Sequence, residues 1–247
     1  MTGVLRDTWH LYRRNFRGLF ILFAPGMALV FITGSLWVLI APNVEVPLLL
    51  QAGSIFWFLL APSLIGSALI LAAHVLIAEG LVGEETSPRR ALSALKADVP
   101  SALQCALLAS TGAMFFGVLR PLSLIFFVWW GPPLIGTTVV LENQPFPEAW
   151  TRTRRRARGR VGRVILTLIL VAFILSILGF ALVFPVLFAL SPVAQTLFII
   201  LIFAVVSALV LPFMAAVELR LYFDIRARAD EGFGVDMLHE DLARSTA

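Results

Sequence analysis

Few side chains in this chain are suited to chemistry, and most stand in apolar surroundings. His74, Glu79, Glu142 and Glu218 lie within or at the ends of long uncharged stretches, and Asp224 and Arg226 follow the last of them. Burying an ionisable group at membrane depth is costly, so each marks either an ion pair or a proton or cation path. Glu79, Glu142 and Glu218 fall near one end of their stretches, where arginines of neighbouring segments can anchor them; a transport path is the other reading. His74 sits deeper than Glu79 by about one and a half turns. A histidine there is either a proton carrier or bonded to a neighbouring carbonyl.

Signatures of catalysis are missing from the sequence, which holds no G-x-S-x-G, H-E-x-x-H or Walker loop. Cys105 is the single cysteine. It has no cationic neighbour in sequence and reads as packing, and one cysteine makes neither an internal disulfide nor a zinc cluster. The expectation is a protein that is not an enzyme and uses no cofactor and no metal. Trp129-Trp130-Gly131-Pro132-Pro133 is the segment where a broken helix would line a cavity, although Pro and Gly are common in membrane helices in any case.

The arginines carry a second kind of chemistry, contact with phosphate. Trp9-x-x-x-Arg13-Arg14-x-x-Arg17-Gly18 recurs as Trp150-x-x-x-Arg154-Arg155-x-x-Arg158-Gly159, and a weaker copy runs from Leu92 through Lys96 to Ser101. In the first copy Leu5, Trp9, Tyr12, Phe16 and Leu19 form one apolar stripe at helical spacing. Such a helix lies in the headgroup plane with its arginines on lipid phosphates. Arg13, Arg14, Arg17, Arg154, Arg155 and Arg158 are therefore candidate contacts for anionic inner-leaflet lipids. The run Arg152–Arg163 would also suit nucleic acid, but membrane topology already accounts for it, and no nucleic-acid partner is expected.

These residues must be positioned by membrane helices. Of 247 residues, 60% are hydrophobic and 14% charged, with a mean hydropathy of +0.94, whereas an average soluble domain is roughly 25% charged. That excludes an ordinary soluble globule, a disordered chain and a collagen-like fibre. Six stretches are long enough to cross a hydrocarbon core of about 30 Å: Leu19–Ala41, Gly53–Gly80 after an entry turn at 48–53, Ala102–Leu119, Pro121–Leu141, Val164–Ala189 and Ala194–Tyr222. Whether the second and fourth are broken at Pro62 and at Pro132 and Pro133 is left open by sequence. Ala68/Ala72 and Ala109/Ala113 are small-residue pairs suited to close packing.

With the N-terminus in the cytoplasm, 18 of the 19 basic residues fall on that side and only Arg120 falls outside, as the positive-inside rule requires. Arg13-Arg14 loosely resembles a twin-arginine signal, but the apolar run is long and lacks a cleavage site, so a retained helix is expected. The fold expectation is all-α: a polytopic membrane helix bundle of six transmembrane helices in three hairpins, with cytoplasmic amphipathic pre-helices. It reads as one domain, with an interfacial helix at 1–18, the bundle at 19–223 and a cytoplasmic tail at 224–247.

Glu142, Ala149-Trp150 and the Arg152–Arg163 run before an apolar span resemble one segment of a bacterial six-span family. That family is named after the membrane domain of some glycerophosphodiester phosphodiesterases. Leu221-Tyr222-Phe223-Asp224-Ile225-Arg226, followed by Glu231-Gly232-Phe233, resembles the exit of its last helix. The resemblance implies a six-span plasma-membrane domain; the catalytic barrel is absent, so its activity does not carry over. In the tail, arginines are expected on lipid and acids towards the pre-helix arginines. The expected function is a scaffold, assembly or lipid-organising module with the bilayer, a membrane-protein partner or a second copy as its partners. The alternative is a small transporter or channel for a lipid or amphiphile, with a cavity between spans two, four and six.

Overall fold

The computed structural model describes residues 2–40, 48–84, 86–97, 99–118, 134–160, 192–230 and 232–246, with isolated positions between 162 and 184. Among the described residues there are eight helices and no strand: α1 (Thr2–Ile40), α2 (Leu48–Val82), α3 (Pro88–Ala97), α4 (Val99–Val118), α5 (Ile135–Glu142), α6 (Phe146–Ala157), α7 (Pro192–Ala229) and α8 (Val235–Thr246). The loop Pro42–Pro47, Arg120, the segment Trp129–Pro133, Arg163, Pro185 and Ser191 lie outside the described residues, as do the side chains of Leu5, Pro62, Ala109, Ala113 and Arg244.

Three helices are long and apolar enough to cross a membrane, at Arg6–Leu36, Leu64–Val82 and Ala194–Ala229. They match the first, second and sixth expected spans, and they suit a membrane protein. Two boundaries differ from expectation. Helix α1 runs unbroken over 39 residues, or about 58 Å, so residues 1–18 do not form a separate interfacial helix. Nothing in that stretch breaks it, since Gly18 keeps helical geometry and Pro25 lies well inside the apolar part. Helix α2 begins at Leu48 and continues through position 62 without interruption, so the expected entry turn is its first turn. In the two other copies of the basic motif, a short helix does precede the next segment: α3 ahead of α4, and α6 ahead of residues 162–184.

Contacts fix the helix directions. Gly18 meets Leu76, Gly26 meets Leu69 and Gly80 meets Asn15, so α1 and α2 are antiparallel. Asp7 reaches Arg220, and Tyr12 donates its hydroxyl to the Leu209 carbonyl at 3.2 Å, so α1 and α7 are antiparallel as well. The start of α1 and the ends of α2 and α7 therefore share one end of the bundle. A Cβ on Gly26 would sit 2.8 Å from the end of the Leu69 side chain, so the glycine lets α1 and α2 approach closely without displacing that leucine.

The core is concentrated at that shared end. Every residue of α2 from Leu71 to Gly80 is buried, as befits a stretch that is apolar on all sides. Around it pack Leu19 and Phe23 of α1, Leu141 of α5, Leu219 of α7 and Leu242 of α8. Away from this end, Ile21, Leu29, Ile32 and Leu36 of α1 and Phe198 and Phe203 of α7 point outward. The aromatic stripe of α1 turns partly inward: Tyr12 is buried and its ring meets Phe213, while Trp9 and Phe16 stay at the margin.

Candidate functional site

Two polar clusters form at the crowded end, one at its rim and one deeper. The first is built on Glu142, the residue just past the fourth expected span. Helix α5 closes there because Asn143 takes the left-handed conformation, φ 47°, and its N–H bonds back to the Val139 carbonyl. Pro145 then caps α6, with Pro147 and Glu148 in its first turn, a favourable helix start. This tight turn folds α6 back so that Arg152 and Arg156, one turn apart, both reach Glu142. The small residues Ala149, Thr153 and Ala157 bury the inner face of α6, and Thr153 shares a 2.7 Å hydrogen bond with Thr138 of α5.

Glu142 accepts hydrogen bonds from Arg152 at 2.7 Å, from Arg156, and from the Tyr222 hydroxyl of α7 at 2.6 Å. Tyr222 in turn accepts from Arg226 at 2.9 Å. Arg156 also binds Asp230 through two nitrogens, at 2.6 and 3.1 Å. Arg226 pairs with Asp241 of α8 at 2.6 Å and with Asp230 at 3.2 Å, and its guanidinium lies 4.6 Å from the Phe233 ring centre. Three carboxylates thus meet three guanidiniums, so the cluster is neutral and its members mostly buried. Burial alone would raise the Glu142 carboxyl, but hydrogen bonds from Tyr222, Arg156 and Arg152 outweigh it and hold it below its ordinary value. Burial would likewise lower Arg156, yet its bonds to Glu142 and the Asp230 charge hold it above the ordinary arginine value. Chemically, the arrangement ties α5, α6, α7 and α8 together.

The second cluster lies deeper. His74 of α2 places Nε2 3.4 Å from Oε2 of Glu218 on α7, and its Nδ1 stands 3.3 Å from the Thr137 hydroxyl of α5. The His74 side chain is 1% exposed and that of Glu218 is 18% exposed. Nearer the rim, Glu79 is fully buried and faces Arg90 of α3, whose Nε is 3.9 Å away. Arg90 also pairs with Glu84, and Glu84 with His239 of α8.

Measured against the sequence, Glu142 faces Arg152 and Arg156 of the second motif copy and Glu79 faces Arg90 of α3, just ahead of the third copy, whereas among the described residues Glu218 pairs with His74. Arg226 departs furthest from expectation. It was a candidate for an ion pair and, as a tail arginine, for lipid; it is 3% exposed and paired with Asp230 and Asp241, because α8 folds back across it. Asp224 makes only a local pair with Arg228, at 2.9 Å on the surface. Arg13, Arg14, Arg17, Arg154, Arg155 and Arg158 are all exposed. Of the tail acids expected towards the pre-helix arginines, Asp230 does meet Arg156, while Asp241 pairs with Arg226; sequence reasoning missed Tyr222 and Thr137 as cluster members. A signal existed for part of this: Glu218, Tyr222, Arg226 and Asp230 recur every four residues, which sets a polar stripe on one helix face.

Comparisons with known proteins add no family: no family model, no curated protein and no solved structure matches the chain. Nothing in them links it to the phosphodiesterase membrane domain.

Proposed function

We propose that this chain is a non-enzymatic integral membrane protein of a bacterial plasma membrane that acts as a scaffold, assembly or lipid-organising module. In this reading six spans form three hairpins of like orientation, both termini are cytoplasmic, and the likeness to the phosphodiesterase membrane family reflects architecture alone. The observation that carries it is the Glu142 cluster. Its charges are paired with one another and tie four helices together at one end. The arginines that stay exposed, Arg13, Arg14, Arg17, Arg154, Arg155 and Arg158, suit the phosphates of anionic inner-leaflet lipids. A membrane-protein partner or a second copy would then assemble on the outward apolar faces of α1 and α7.

A transport reading has one specific observation in its favour. His74 and Glu218 meet between α2, α5 and α7, which correspond to spans two, four and six. Liposome flux assays separate the two readings. The scaffold reading expects no flux of ions, lipids or amphiphiles for wild type; flux that disappears in Glu218→Gln would overturn it. Topology is checked by reporters: one fused after Arg158 is expected to be cytoplasmic and one after Pro192 external. A cytoplasmic signal from the second would remove the six-span arrangement.

A further inference from the structure

We infer that His74, Thr137 and Glu218 form a buried proton-binding site where α2, α5 and α7 meet. The site is assembled from three helices and belongs to neither the Glu142 cluster nor the exposed arginines. Its first requirement is a pair of groups able to share one proton. The imidazole and the carboxylate approach to 3.4 Å with His74 almost wholly enclosed. Without the extra proton, neutral His74 turns Nε2–H towards Glu218 and the site carries one negative charge. With it, the pair is an imidazolium and a carboxylate, or a neutral imidazole and a carboxylic acid, and the net charge is zero.

The second requirement is that the far side of the ring tolerate both states, and Thr137 meets it. A hydroxyl is both donor and acceptor. It donates to Nδ1 while the ring is neutral, and by rotating it accepts from Nδ1–H once the ring is protonated. A backbone carbonyl there would hold Nδ1 permanently as the donor. The third requirement is access. Glu218 is the member of the site that keeps some exposure, 18% of its side chain.

Other titratable or charged groups near α2 are engaged elsewhere. On α2 itself Glu79 faces Arg90 of α3. From α5 comes Glu142, held by arginines and Tyr222. Helix α1 brings Tyr12, bonded to the Leu209 carbonyl, and Asp7, paired with Arg220 of α7. Helix α8 brings His239, beside Glu84, and Asp241, on Arg226; α4 brings Cys105, packed near Gly136. That leaves Glu218 as the partner of His74.

The test uses the full chain in lipid nanodiscs, with isotope-labelled histidine read by NMR from about pH 4.5 to about pH 9. The chain has three histidines, so a His10→Gln, His239→Gln background leaves the His74 signal alone. The signal is expected to titrate, and Glu218→Gln, which preserves shape, is expected to weaken proton binding at least about tenfold. Thr137→Val, which keeps volume but removes the hydroxyl, is expected to weaken it by a smaller factor. A His74 signal that stays unchanged across the range would overturn the inference. So would a titration that Glu218→Gln leaves in place. Because no flux is read, the inference stands or falls separately from the scaffold and transport readings.

Discussion

Replacing Glu142 by glutamine removes one negative charge from a neutral cluster while leaving its shape almost intact. The Glu142 side chain is 2% exposed, Arg156 12% and Arg226 4%, whereas Arg152 is 48% exposed. Arg152 turns to solvent and loses little, since exposed pairs contribute about 0–1 kcal/mol. Arg156 cannot leave, so it keeps Asp230 and loses its second anion. Removing one partner of a buried pair costs about 3–5 kcal/mol, and the surviving Asp230 and Asp241 place this case at the lower end. We expect a loss of about 3 kcal/mol, which for a chain of this size lowers Tm by roughly 6–12 °C. The assay is thermal unfolding of the full chain in one fixed detergent, with Arg152→Ala as the exposed control expected to cost under about 1 kcal/mol. A Glu142→Gln variant that melts within about 2 °C of wild type would refute the idea that this cluster locks the end of the bundle.

Further predictions follow from the same geometry. Because the native Glu142 carboxyl lies below its ordinary value of 4.5, its stabilisation is complete above that value and is lost as pH falls through the lower native value. Thermal scans on the acid side should therefore show wild type losing stability more steeply than Glu142→Gln. Gly80→Ala would place a Cβ 2.5 Å from Oδ1 of Asn15, a side chain held in place because its Nδ2 donates to the Leu11 carbonyl; a cost of about 1–3 kcal/mol is expected. Asn15→Ala should relieve that cost, and an equal penalty in both backgrounds would show that the clash is not its origin. Changing Arg154, Arg155 and Arg158 together to glutamine is expected to reduce retention of anionic over neutral lipid by up to about 1 kcal/mol per charge. Native mass spectrometry reads this directly, and an unchanged lipid preference would remove their headgroup role.

Much of the helix inventory is legible in the sequence. Pro145 and Pro147 announce the break that starts α6, and Gly232, at φ 78°, sits in the bend before α8. Among the described residues, three of the six apolar stretches form long helices. Residues up to 18 are continuous with the first span rather than a separate helix, and their apolar stripe shows only which face is buried and not what buries it. Tyr12 found Phe213 and the Leu209 carbonyl, where the stripe suggested lipid. Arg226 was misplaced for a related reason: a basic residue just past a span usually reaches water or phosphate, unless a later segment closes over it, as α8 does.

By itself, then, the sequence determines that this protein is helical, too apolar for water, and charged chiefly outside its apolar stretches. Those properties follow from composition and from periodicity along one helix. Which faces meet is another matter. His74 and Glu218 come within 3.4 Å across three helices, and Glu142 meets Tyr222 from 80 positions away. A segment buried on every side, such as Leu71–Gly80 of α2, carries no signal of its rotation. Close fits such as Gly26 against Leu69 and Gly80 against Asn15 set that rotation, and they exist only once the helices are packed.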